Sequence, residues 1–255
     1  MEMSKLLIIH KLNDENDRPA LERWFYRYHV PEVMTQIPWT AKYVLYRVVP
    51  APPGGENYGY FNYRVHENWV PDKTLRRGTK GLLAMTTQPG ACDAIVVSIP
   101  AEPTEDFLGG KCCFDDHTIL RWVTVFRYPD GVSVEEGEDW YLNTHVPEVM
   151  KQPGLTRFFS TKAYNGKMPL PQGEDFKENH DDLFYKQWHR VSEMWYENNN
   201  GWVNSILSKP PQYTKPQWAT YENYPFLIPG SEFISTFILE RPDQDYIRDF
   251  RPLIL

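Results

Sequence analysis

The spacing of apolar and polar residues changes period several times along the chain, and the changes come twice in the same order. "KLLIIHK" (5–11) is a run of β-forming residues. "NDENDRP" then supplies turn and helix-start residues, with Pro19 near the first helical turn. Leu21, Trp24, Phe25 and Tyr28 recur at helical spacing, and Val33, Met34 and Ile37 extend the pattern past Pro31. Strands are predicted over 40–49 and 58–65, a short helix over 71–86 and a closing strand over 93–102. The order is β-α-β-β-α-β.

The second half repeats it. A strand is expected over 118–129, and Ser133 with Glu136 forms a capping box before the next helical stretch. Strands follow over 155–164 and 182–197, a short helix over 198–208 and a last strand over 233–240. Under this shared pattern lies a literal repeat. "HVPEVM" stands at 29–34 and again 116 residues later at 145–150, and "RVHENW" (64–69) is echoed by "RVSEMW" (190–195) after 126 residues. The insertion at 166–182 accounts for the larger offset. An internal repeat is the reading: an α+β chain of two tandem ferredoxin-like β-α-β-β-α-β units. Each unit has one sheet face covered by helices and the other in need of cover, so the two sheets are expected to bury each other in a pseudo-symmetric barrel of the dimeric type within one chain. The expected division is 1–102, a linker at 103–117, and 118–255 with a C-terminal extension.

Composition narrows the function. The formal net charge is −7, with no basic stripe for nucleic acid. No apolar run approaches a membrane span. Three cysteines, two of them adjacent (Cys112, Cys113), give neither a disulfide framework nor a zinc spacing, so a reduced cytoplasmic protein is expected. Nine Trp and sixteen Tyr are enough to line a pocket for a flat ligand.

The repeated hexapeptide carries the candidate chemistry. His29 and Glu32 share a helix face, as do His145 and Glu148. Pro31 and Pro147 each remove a helical N–H and crowd the carbonyl four residues back, which fixes where the histidine points. Imidazole can take and return a proton near neutrality, and the glutamate could set its tautomer. Tyr63, Arg64 and His66 on a strand of the first half, and Tyr185, Trp188, His189 and Arg190 in the second, are candidates for the substrate's surroundings. Arg64 could clamp a carboxylate. His10 and His117 have no companion pattern and read as surface or packing residues. No metal or nucleotide motif is visible, and no cofactor is expected.

"YHVPEV" followed by "IPW" or "PGL" and a strand, together with "WHRVSEMWYENNNGWVNSILSKP", resembles the EthD-like branch of the dimeric α+β barrel superfamily over residues 4–102 and 118–241. The resemblance implies a cavity enzyme whose recurrent helix histidine falls on His29 and His145. The expectation is a cofactor-independent lyase for a small aromatic or phenolic compound, with histidine as acid and base. Its alternatives are an isomerase, dehydratase or cyclase on the same substrates, and a haem-dependent oxygenase or non-catalytic binding protein. The 166–182 loop inclines the choice of active half toward His145, Glu148, His189 and Tyr185. A homodimer through an outer surface is open to such a barrel.

Overall fold

A computed structural model describes residues 3–59, 61–71, 86–90, 92–108, 119–164, 186–209, 212–222, 224–226 and 232–250. The predicted helix at 71–86, the 166–182 insertion, Tyr185, His117 and the adjacent cysteines fall outside them, wholly or nearly so.

Strands β1 (Met3–Leu12), β2 (Lys42–Arg47), β3 (Arg64–Pro71) and β4 (Cys92–Pro100) form the first antiparallel sheet in the order β2-β3-β1-β4. Strands β6 (Leu120–Phe126), β7 (Leu155–Lys162), β8 (Arg190–Tyr196) and β9 (Phe233–Leu239) form the second, in the equivalent order β7-β8-β6-β9. These are the two predicted ferredoxin-like units. Two strand starts need correcting. β8, read from 182, begins at Arg190. The aromatic stretch at 58–65 reads as a strand, but β3 begins at Arg64. Before it, the Phe61 N–H donates to Ser235 O and the Phe61 carbonyl accepts from Thr236 Oγ1 of the other unit.

Side-chain alternation sends one face of each sheet to the other sheet and one to its own helices. Ile9, Val44, Val65 and Val97 meet Val123, Val125, Val191 and Ile238 between the sheets. Backbone bonds from Val49 N to Phe237 O and from Tyr164 N to Ser98 O tie the edges, closing a pseudo-symmetric barrel. Its interior also holds charge. Arg121 donates twice to Glu193 and lies 3.4 Å from Glu67, while Lys5 stands 3.7 and 3.8 Å from the same two carboxylates. Lys5 and Arg121 occupy equivalent positions, as do Glu67 and Glu193. Burial alone would raise the Glu67 carboxyl, yet Lys5, Arg121 and Lys42 hold it below its ordinary value.

Each unit also lends the other a fifth strand. β5 (Glu105–Asp106), from the segment read as a linker, pairs with β7, and β10 (Gln244–Asp245), from the C-terminal extension, pairs with β2. No helix among the described residues is long and apolar enough to cross a membrane.

Candidate functional site

The first helical run consists of α1 (Arg18–Trp24), a π-helical turn (Phe25–His29) and α2 (Val30–Gln36). Its counterpart consists of α3 (Val134–Trp140), a π-helical turn (Tyr141–His145) and α4 (Val146–Val149). In both, the widened turn ends just before the proline: Val30 N–H reaches back to Phe25 O, and Val146 N–H to Tyr141 O. Proline cannot bond to the carbonyl four residues back and crowds it, and a π-turn relieves that crowding.

The glutamates have a task that the sequence does not reveal. Glu32 accepts from the Thr86 hydroxyl at 2.5 Å and the Thr86 N–H at 3.0 Å, and Glu148 does the same for Thr214 at 2.5 and 2.8 Å. Trp24 Nε1 donates to Thr86 O, and Trp140 Nε1 to Thr214 O. The histidines stack on these tryptophans, with ring centroids 4.6 Å apart for Trp24–His29 and 5.1 Å for Trp140–His145. Much of the hexapeptide thus clamps a returning threonine loop to the helix in each unit. The glutamate bonds to threonine, not to imidazole.

Behind the first helix the sheet presents His10 on β1, Tyr43 on β2, and Arg64, His66 and Asn68 on β3. The His10 and His66 rings are 5.2 Å apart, Tyr43 and His66 5.6 Å, and Phe25 lies within 5.5 Å of His10, His29 and His66. Tyr246, which follows β10, reaches in from the other unit to pack on Tyr43 at 4.8 Å. His66 and Tyr43 are fully buried. Yet both His66 ring nitrogens, His10 Nε2, His29 Nδ1, Tyr43 Oη and Asn68 Oδ1 have no hydrogen-bond partner among the described residues. Burial pushes His10 down to about 3 and His29 to about 4, with Arg64 adding to both, and takes His66 well below its ordinary value. All three imidazoles are neutral at pH 7. Burial raises the Tyr43 phenol, which stays protonated. Among the described residues no group of three or more His, Cys, Asp and Glu is arranged to hold a metal ion.

The second unit fills the same positions differently. Phe126 replaces His10, Phe158 replaces Tyr43, Ser192 replaces His66 and Met194 replaces Asn68. Ser192 is bonded to Tyr141 at 2.7 Å and to Ser160 at 3.2 Å. His145 is packed among Trp140, Tyr141, Tyr213 and Phe226, and burial lowers it to about 3. His145 Nδ1, like His29 Nδ1, has no hydrogen-bond partner among the described residues, but around it the second unit gathers aromatic rings where the first gathers polar groups.

The other candidates fall outside the His145 cluster. His189 Nδ1 accepts the Tyr128 N–H at 2.8 Å and its ring stacks on Tyr128. Trp188 belongs to the core between the sheets. Arg190 is buried in ion pairs with Glu105 and Glu138. Tyr63 lies under Arg64, its hydroxyl 3.3 Å from Glu22. His10, read from sequence as a surface or packing residue, is buried in the first cluster. The signal that could have found it is its register with Ile8 and Leu12 on the helix-facing side of β1.

A family model described as the chalcone isomerase N-terminal domain matches residues 1–89. No curated protein matches the chain. Among solved structures, three similar ones differ in how closely they superpose. A structure of an anthrone oxidase-like protein is 10% identical over 96% of this chain and 92% of its own, with a TM-score of 0.50. A provisionally assigned monooxygenase from Lactobacillus acidophilus NCFM is 12% identical over 96% of both chains, with a TM-score of 0.34. A provisionally assigned chlorite dismutase is 10% identical over 94% of this chain and 96% of its own, with a TM-score of 0.36.

The fold is a pair of ferredoxin-like units closed as a dimeric-type α+β barrel. The expected lyase is corrected by the anthrone oxidase-like structure, which is named for an oxidase and not for a lyase or an isomerase. The isomerase name belongs to a model that matches only residues 1–89.

Proposed function

We propose that this chain is an oxidoreductase, an oxidase or oxygenase for a small phenolic compound bound between the first sheet and its helix. We further propose that it arose by duplication of an EthD-like unit into residues 1–102 and 118–255, joined through 103–117. The observation that carries the functional reading is the group of buried polar atoms without partners in the first unit, on His10, Tyr43, His66 and Asn68, where the second unit has Phe126, Phe158, a bonded Ser192 and Met194. Leaving such atoms without partners costs about 1–3 kcal/mol each, which favours a polar guest that bonds to them. The name of the anthrone oxidase-like structure supports an oxidation and an aromatic substrate.

The chemistry follows from the groups present. His66, with both ring nitrogens available and His10 beside it, takes the proton of a phenol or enol and becomes imidazolium. The Tyr43 hydroxyl, held protonated by burial, donates to the oxyanion that forms. Trp24, Phe25 and Tyr246 exclude water around it. The oxyanion passes one electron to dioxygen, the oxidant, and the resulting aryloxyl radical and superoxide combine through a new carbon–oxygen bond. Histidine returns the proton to the peroxide so formed, giving an organic hydroperoxide as the oxidised product.

Oxygen uptake tests the reading. With a panel of phenols and hydroxyaryl ketones, the protein is expected to consume dioxygen in proportion to oxidised product, and His66→Ala to lose the activity. A folded protein that consumes none, with or without added haem, flavin or iron, overturns it.

A further inference from the structure

The two units carry the same buried arginine with different partners. Arg64 and Arg190 are each 1% exposed, at the start of β3 and β8. Each pairs with the helix carboxylate at the equivalent position, Glu22 for Arg64 at 2.5 Å and Glu138 for Arg190 at 2.6 Å. Arg190 has a second carboxylate as well, Glu105, contributed by the arm of the other unit.

Sheet register identifies the residue that stands in Glu105's place beside Arg64. Glu105 pairs with Ser160, which pairs with Ser192, two residues beyond Arg190. Gln244 pairs with Leu45, which pairs with His66, two residues beyond Arg64. Flanking contacts repeat the correspondence. Thr104 Oγ1 accepts from Lys162 N and Asp243 Oδ2 from Arg47 N, while Phe107 packs on Phe158 and Tyr246 on Tyr43, both at 4.8 Å. At the deciding position the acid has become an amide, and Gln244 Oε1 accepts from the Tyr26 hydroxyl instead.

Among the described residues Arg64 therefore keeps one carboxylate where its counterpart has two. Its Nε and Nη1 have no hydrogen-bond partner among the described residues. Its guanidinium lies over Phe25 and Tyr63, beside the polar cluster. A buried guanidinium with unused donors is a recognition element for a planar anion, and the second unit shows that the fold admits a carboxylate at this point.

We infer that the first unit's site takes an aryl carboxylate, whose carboxylate occupies on Arg64 the place that Glu105 occupies on Arg190. This rests on reading the first unit as the binding site and narrows the phenolic substrate to an aromatic acid. Arg64 anchors the acid group, and the imidazoles meet the ring's hydroxyl.

Binding, measured without oxygen, tests the anchor apart from turnover. The probes are para-hydroxybenzoate, para-hydroxyphenylacetate and para-hydroxycinnamate, each titrated calorimetrically against its uncharged primary amide. At least one acid is expected to bind about tenfold or more tighter than its amide, a difference of about 1.4 kcal/mol. Arg64→Gln would strand Glu22 and risks unfolding, so the decisive variant is Gln244→Glu, which restores the second unit's arrangement. It keeps an acceptor for Tyr26 and should fold with an unchanged or higher Tm. It should weaken the acid by about tenfold or more while leaving the amide unaffected. Equal affinity for acid and amide, failure of all three acids to bind, or acid binding unchanged in Gln244→Glu overturns the inference. Oxygen uptake with neutral phenols alone would leave the proposed reaction standing while this inference fell. Tight acid binding without any oxygen uptake would do the reverse.

Discussion

Glu32 holds Thr86 by both its hydroxyl and its backbone N–H, and Glu148 holds Thr214 in the same way. The duplicated hexapeptide therefore has a mechanical duty in both units, independent of chemistry in either. Replacing Glu32 or Glu148 by Ala should destabilise the fold by about 1 kcal/mol each, as read by urea unfolding. If neither change alters the unfolding midpoint, the clamp contributes nothing.

The histidines of the first unit's cluster and His145 of the second should respond differently. His29 borders the first unit's polar cluster, and His145 sits among aromatic rings. On the proposed function, His66→Ala should lower turnover about 10²–10⁴-fold, the range for lost acid–base help. His145→Ala should leave turnover within a few-fold of normal while costing about 2 kcal/mol of stability for the cavity. A His145→Ala protein that folds but is inactive, beside an active His66→Ala, would move the site to the second unit.

Stability should fall as the solution is acidified, and begin to do so above the carboxylate range. His10, His29 and His145 have folded values of about 3, 4 and 3, below the ordinary 6.5. Between these limits the unfolded chain binds protons that the folded chain does not, so unfolding free energy rises with pH there and is lost as pH drops below about 6.5. Each histidine contributes up to about 1.4 kcal/mol per pH unit. Below the ordinary carboxylate value, protonation of Glu67 and Glu138, both held low in the folded state, adds to the loss. Denaturant titrations at pH 7, 5.5 and 4.5 check the slope. A flat profile across that range would mean the imidazoles titrate normally when folded.

The charges between the sheets should be costly to break singly. Arg121→Met leaves Lys5 between Glu67 and Glu193, with Lys42 acting on Glu67 from farther off, and a loss of about 3–5 kcal/mol is expected. Replacing Arg121 and Glu193 together by apolar residues should cost less than Arg121→Met. A double variant weaker than that single one would mean the surviving Lys5–Glu67 pair depends on its neighbours.

The repeat, the order of elements and the barrel were legible because each rests on periodicity or literal identity. The start of β3 was not, because the aromatic residues of 58–63 look like strand residues wherever they bond, and Phe61 bonds across to β9. The Glu–Thr clamps were invisible because Thr86 and Thr214 lie 54 and 66 residues from their partners. A fainter echo was there to find. "TEDF" at 104–107 and "DQDY" at 243–246 are the two exchanged arms, and their difference at the second position separates Arg190 from Arg64.

The exchange of arms also sets an order of assembly. Gln244 and Tyr246 complete the surroundings of Arg64, Tyr43 and His66, yet they are translated long after those residues have left the ribosome. A nascent chain that has made its whole first unit still lacks the edge strand and the tyrosine that complete that unit's sheet and polar cluster. The first unit's polar cluster is thus completed by residues that follow it by the whole length of the second unit, and a chain cut before β10 leaves that cluster unfinished.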